Sequence, residues 1–110
     1  DRSHQDEFRK QLRARAELTT TRMNAIPGIS CVMPKSAFYA MPKVELPRGK
    51  TDTDFVLGLL RAKGVLTVYG SGFGTALEDG FFRLVFLASL DELSAIYADV
   101  ADFTAEFRSA

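Results

Sequence analysis

Apolar residues recur along the chain with different spacings, and each spacing predicts a different element. Phe8, Leu12, Ala16, Thr19, Met23 and Ile26 trace a helical stripe and predict a helix over 5–25. Ile26-Pro27-Gly28 ends it, because Pro27 disfavours helix at the preceding residue and Gly28 suits a turn. Residues 29–33 read as a short strand, Pro34-Lys35 as a turn and 37–44 as a second strand. After a loop over 45–53, Thr51 three residues before Asp54 resembles a capping box with Asp in place of Glu. Phe55, Val56, Leu59, Leu60 and Ala62 form the apolar side of the helix it opens, and Gly64 stands where a left-handed C-cap belongs. Residues 65–69 read as a strand, GSGFG as a glycine turn and 81–87 as a further strand. Ser89 and Glu92 open the last helix, whose stripe of Leu93, Ile96, Val100, Phe103 and Phe107 is the strongest periodic signal in the chain. The order helix, two strands, helix, two strands, helix predicts an α+β fold, helices packed on a small sheet of about four strands.

One strand carries a contradiction. GFFRLVFLAS, residues 80–89, is a continuous apolar run that predicts a strand covered on both faces, yet Arg83 lies in its middle. With a period of two, Phe81, Arg83, Val85 and Leu87 share one face, and Phe82, Leu84, Phe86 and Ala88 share the other. A guanidinium keeps its charge at physiological pH, so a buried Arg83 needs an anion. A sheet edge or a local carboxylate satisfies that need, and so does a ligand from outside. The pattern alone leaves both open.

At 110 residues, 46% apolar and 25% charged, the chain fits one ordinary domain with a single core. Its apolar runs are too short to cross a bilayer, and no signal peptide is visible in its polar beginning. The single cysteine, Cys31, excludes an internal disulfide and offers no metal-site spacing; a reduced, cytoplasmic setting fits. Net charge is zero, but residues 1–50 hold ten Lys/Arg against five Asp/Glu, and residues 51–110 four against nine. The basic first helix (Arg9, Lys10, Arg13, Arg15, Arg22) lacks the aromatic interleaving of a nucleic-acid surface, and reads as a solvated or interdomain face.

Few residues carry chemistry of their own. The glycines of YGSGFGTALEDG invite comparison with a phosphate loop, but a strand rather than a helix follows and no Gly-Lys-Ser/Thr occurs, so a sharp turn is expected. Ser71 lacks the flanking glycines of a nucleophile elbow. His4, the only histidine, stands near the start without a partner, and Glu78-Asp79 and Asp91-Glu92 read as turn and helix-cap charges. No catalytic constellation stands inside the chain.

From Ala25 onward the chain resembles the C-terminal small domain of class I/II (fold type I) pyridoxal-phosphate aminotransferases of the alanine/aspartate kind. The matching stretches, NAIPGISCVMPKSAFYAMPK (24–43), DFVLGLLRAKGVLTVYGSGFG (54–74) and GFFRLVFLASLDELSAI (80–96), follow one another in the family's order. The resemblance implies that residues 1–110 are one domain of a longer enzyme, with 1–25 a helix leading in from the large domain. It implies that Arg83 binds the substrate's α-carboxylate, so that the missing anion comes from the amino or oxo acid. Phe38, in SAFY, would lie at the substrate edge of the cleft. Ser36 stands where relatives often have glycine, and Tyr69 replaces a common proline, leaning toward alanine-aminotransferase-like members.

The pyridoxal 5'-phosphate itself would be bound by the large domain, since none of Lys10, Lys35, Lys43, Lys50 or Lys63 lies three residues after a serine as the family's S-x-x-K motif requires. The parent enzyme, a homodimer, would transfer an amino group between an amino acid and a 2-oxo acid. The segment would supply the carboxylate clamp and part of a closing lid, with catalytic, cofactor and metal residues all absent from it, and would be inactive alone. Two other readings remain: a free-standing sensor that binds amino acids through Arg83 without chemistry, and an interaction domain in which Arg83 meets a partner's carboxylate.

Overall fold

The computed structural model describes residues 2–34 and 38–109, apart from the side chains of residues 2, 3 and 73. Three helices alternate with five short strands: α1 (Arg2–Asn24), β1 (Ile29–Ser30), β2 (Tyr39–Ala40), β3 (Lys43–Val44), α2 (Asp52–Lys63), β4 (Val68–Tyr69), β5 (Phe82–Val85) and α3 (Leu90–Ser109). Two 3₁₀ turns, Gly70–Phe73 and Leu77–Asp79, separate β4 from β5. The architecture is the expected α+β. No helix among the described residues is long and apolar enough to cross a membrane.

Local chemistry fixes the helix ends. The Thr51 hydroxyl accepts the Asp54 N–H at 3.3 Å while the Asp54 carboxylate accepts the Thr51 N–H at 3.0 Å, the reciprocal box read from the sequence. Gly64 closes α2 at φ 70°, its N–H donating to the Leu60 carbonyl at 2.9 Å. At the start of α3 the Ser89 hydroxyl accepts the Glu92 N–H at 3.2 Å and donates to the Glu92 carboxylate at 3.1 Å.

The strands depart from expectation. The strand predicted over 37–44 is two strands in two sheets, broken at Met41-Pro42; Lys35, Ser36 and Ala37, with part of the turn expected before it, lie outside the described residues. Pro42 has no N–H to give a ladder, and its carbonyl instead accepts the Phe82 N–H at 3.0 Å. β2 and β4 flank β5 in an antiparallel sheet, with Tyr39 opposite Val85, Ala40 opposite Leu84, Val68 opposite Arg83 and Tyr69 opposite Phe82. β1 and β3 form a separate antiparallel pair, which a bridge from Lys43 to Phe81 links to the start of β5.

The core lies between the helices and one face of β5. Phe82, Leu84 and Phe86 are buried, and the Phe82 ring meets Phe55 of α2 at 5.1 Å, which in turn meets Phe103 and Phe107 of α3 at 5.6 and 5.3 Å. Gly58 in mid-α2 is explained by the Phe103 ring, since a Cβ there would come within 2.7 Å of it. The opposite face corrects the two-sided burial expected of this strand: Val85 is 49% exposed and Leu87 57%. Among the described residues the helices pack on one side only; on the other, Val85 and Leu87 are exposed and Arg83 is half-buried.

Two polar contacts join α1 to α3. Thr19 donates to the Arg15 carbonyl at 2.8 Å, so its oxygen receives the hydroxyl of Tyr97, and both side chains are fully buried. The Arg22 guanidinium joins α1 to α3 through the Ser94 hydroxyl and carbonyl, at 2.6 and 3.1 Å.

Two stability outcomes follow from this packing. Gly80 adopts φ +78°, and a Cβ on it would fall 2.1 Å from the Val44 carbonyl oxygen, whereas Gly64 at φ +70° has open space. In urea unfolding Gly80→Ala should cost about 3 kcal/mol or more and Gly64→Ala about 1–2 kcal/mol. Burial pushes the Tyr97 hydroxyl above its ordinary value of 10.0, against opposing pulls from Thr19 and Arg22, and burial raises the Cys31 thiol above 9.0. The folded state therefore favours both neutral forms. Their contribution is fully present below those ordinary values and is lost as pH climbs toward the raised ones. Unfolding measured against pH should show falling stability above about pH 9–10, with a shallower alkaline fall in Tyr97→Phe.

Candidate functional site

β5 has a neighbour on each side, so Arg83 stands at the centre of its sheet rather than at an edge. The pleat that sends Phe82 and Leu84 into the core turns Arg83 to the uncovered face, where it is half-buried. Tyr39, opposite Val85, shares that face and lays its ring under the guanidinium, 5.4 Å from centroid to the guanidinium carbon. A ring against its face orients a guanidinium without using its in-plane N–H groups. Tyr39 was legible only in part: it adjoins Phe38 in SAFY, but the strand pairing decides that Tyr39 is the one on the arginine's face.

Phe38 is 47% exposed, and its carbonyl accepts the Phe86 N–H at 3.0 Å, which extends the β2–β5 pairing by one step. The structure thus puts Tyr39 and Arg83 on one face of the sheet, with Phe38 adjoining β2 one alternate position away. Ser36 lies outside the described residues.

The glycine segment is a turn, as expected. Gly70 gives its N–H to the Phe81 carbonyl at 2.7 Å, and a Cβ there would lie 2.6 Å from the Phe81 Cβ. The Ser71 N–H, which a phosphate loop would offer to an anion, goes to the Asp52 carboxylate at 2.7 Å, and the Ser71 hydroxyl joins it at 3.1 Å. A fixed carboxylate there repels a phosphate. Asp52 itself is 1% exposed, and no sequence signal singled it out, because an acidic first residue is ordinary helix chemistry.

Several other charged residues make contacts within the fold. Arg15 donates to the Ala88 carbonyl at 2.7 Å, Arg13 pairs with Glu17 on the helix surface, and Arg22 is held by Ser94. Asp79 accepts the Ala76 N–H at 3.3 Å, and Glu92 caps α3 with Ser89, so both acidic pairs belong to turn and cap as read. His4 is exposed on α1.

No family model matches the chain. Individual relatives do. The chain is 35% identical to human alanine aminotransferase 1 over 107 residues, covering 88% of this chain and 22% of the relative. It is 38% identical over 85 residues to the glutamate-pyruvate aminotransferase AlaA of Haemophilus influenzae, covering 76% and 21%. Among solved structures, an alanine aminotransferase from Pyrococcus furiosus superposes with a TM-score of 0.83 at 40% identity, over 92% of this chain and 25% of that one. An aspartate aminotransferase from Rhizobium meliloti gives 0.79 at 32% identity, over 87% and 26%. The chain thus spans between about a fifth and a quarter of the length of these relatives. Motif order, sequence identity and fold agree, and the chain belongs, as a part of such a protein, to the pyridoxal-phosphate-dependent aminotransferase family.

Proposed function

We propose that the chain is the C-terminal small domain of an aminotransferase that moves an amino group between an amino acid and a 2-oxo acid, and that Arg83 binds the substrate's α-carboxylate. The observation that carries this reading is the placement of Arg83: half-buried at the centre of a sheet, on the one face that the helices leave open, with the Tyr39 ring behind it. Two parallel N–H···O bonds from a guanidinium hold a carboxylate in both position and orientation, which fixes the Cα beside it for reaction. Phe38, at the exposed end of β2, would border the same cleft. In the longer protein the rest of the chain would cover this face, and movement of the domain would close the site.

Pyridoxal phosphate, implied by the family, does not fit the residues described here. A cofactor lysine needs an enclosed site, but Lys10, Lys43 and Lys50 are exposed, and Lys63 lies at the end of α2. Lys43 also sits over the Phe81 ring at 5.4 Å. On the family resemblance the cofactor is assigned to the large domain, and no chemical step is assigned to this segment. A homodimeric parent and a cytoplasmic setting, the latter resting on the buried free thiol of Cys31, complete the reading; one relative, from Dictyostelium discoideum, is named as mitochondrial. The sensor alternative gains no support from relatives that are named as transferases.

Two experiments test the proposal. In the full-length protein, Arg83→Ala should lower kcat/KM for the amino acid by roughly a hundredfold or more, and Arg83→Lys, which keeps the charge without the fork, by less. Cofactor affinity should stay near normal in both variants. Near-normal kcat/KM in a folded Arg83→Ala enzyme would remove the clamp. Separately, the 110-residue chain, incubated with pyridoxal phosphate and reduced with borohydride, should show no single lysine labelled stoichiometrically on peptide mapping. Such a label would contradict the assignment of the cofactor to the large domain.

A further inference from the structure

A buried carboxylate outside the carboxylate site needs explaining. Asp52 is the one charged side chain in the buried set of the described residues. Its oxygens accept three hydrogen bonds, from the Ser71 N–H at 2.7 Å, the Ser71 hydroxyl at 3.1 Å and the Thr53 hydroxyl at 3.2 Å. It does not cap α2, because Thr51 and Asp54 already do so. Burying a carboxylate is costly unless its acceptors are filled, and here the donors come chiefly from a loop 19 positions away. The group therefore serves the loop rather than the helix.

What the loop touches gives the carboxylate a purpose. Gly70, next to Ser71, is bonded to the Phe81 carbonyl and packed so closely on Phe81 that no Cβ fits. The two residues before Gly70, Val68 and Tyr69, pair with Arg83 and Phe82. One continuous path thus runs from the first turn of α2 through Ser71 and Gly70 to the strand that holds Arg83.

We infer that Asp52 is a positioning residue for the carboxylate site: by holding Ser71 it fixes β4 against β5 and sets where the Arg83 guanidinium stands. This inference rests on the reading of Arg83 as the carboxylate-binding group. β4 is only two residues long and contributes few ladder bonds of its own, so the Ser71 tether supplies the alignment that a longer strand would provide. A fork that must meet a carboxylate with two parallel bonds is sensitive to such alignment, and displacements of about 1 Å in catalytic geometry cost up to about a hundredfold.

The test compares two substrates in the full-length enzyme: L-alanine, which has the α-carboxylate, and ethylamine, which is the same amine without it. Asp52→Ala should lower kcat/KM for alanine about tenfold or more while leaving that for ethylamine within about twofold. Asp52→Asn keeps the size and an acceptor for the Ser71 N–H, and should restore most of the loss. In an Arg83→Ala background, Asp52→Ala should add little. Equal losses on both substrates, or none on either, would overturn the inference. If Asp52→Ala does not fold, Ser71→Ala decides on the same criterion, since it removes the hydroxyl and keeps the backbone bond; it should give a smaller loss confined to alanine. Selective loss in Arg83→Ala but in neither the Asp52 nor the Ser71 variant would remove the positioning role alone. The absence of selective loss in Arg83→Ala would remove the Arg83 reading, and this inference with it.

Discussion

Phe82 packed against Phe55 is the contact on which the rest of the molecule depends. It joins β5 to α2, and through Phe103 and Phe107 it joins both to α3. Burial of each such side chain contributes roughly 1.5–3 kcal/mol, so the inward face of β5 is strongly determined. Strand geometry then leaves no choice for the alternate residues. With Phe82 and Leu84 inside, Arg83 and Val85 face out. The guanidinium is placed by the energy of its neighbours' burial. A one-residue slip of register would bury the charge and expose two core residues, and both changes oppose it.

Around that apolar centre, a few polar contacts decide how the helices and loops join. Thr19 with Tyr97 and Arg22 with Ser94 tie α1 to α3, the Arg15 bond to Ala88 ties α1 to the end of β5, and Asn24 exchanges bonds with Cys31 across the first turn at 2.7 and 2.9 Å. Two of the five basic residues that made α1 look like a charged surface are thus engaged in tertiary contacts. Asp52 belongs to the same class, with a difference: its partner lies in a loop that adjoins the arginine strand rather than in another helix.

The open face of the sheet agrees with the proposed role. Tyr39, Val85 and Leu87 are apolar or aromatic, yet 39%, 49% and 57% exposed. In a chain that spans only about a fifth to a quarter of its relatives, a strand apolar on both faces and covered on one fits a domain whose second face meets the remainder of a larger protein. Arg83 would then lie at the boundary between the two, where a ligand is enclosed from both sides.

The sequence by itself determined the three helices, the caps at Thr51, Gly64 and Ser89, the turn at Gly70–Phe73 and the one arginine set in an apolar strand. These depend on local terms: apolar period, side-chain oxygens within reach of the next turn's N–H groups, and a charge among apolar neighbours. The motifs of 24–43, 54–74 and 80–96 also carried the family. Only the tertiary structure decided that the strand expected over 37–44 splits between two sheets, that one face of β5 stays open, that Tyr39 backs Arg83 and that Asp52 holds Ser71. Each of these depends on which strand lies beside which and on what packs above them. Those contacts join residues far apart in the chain, and no local spacing encodes them.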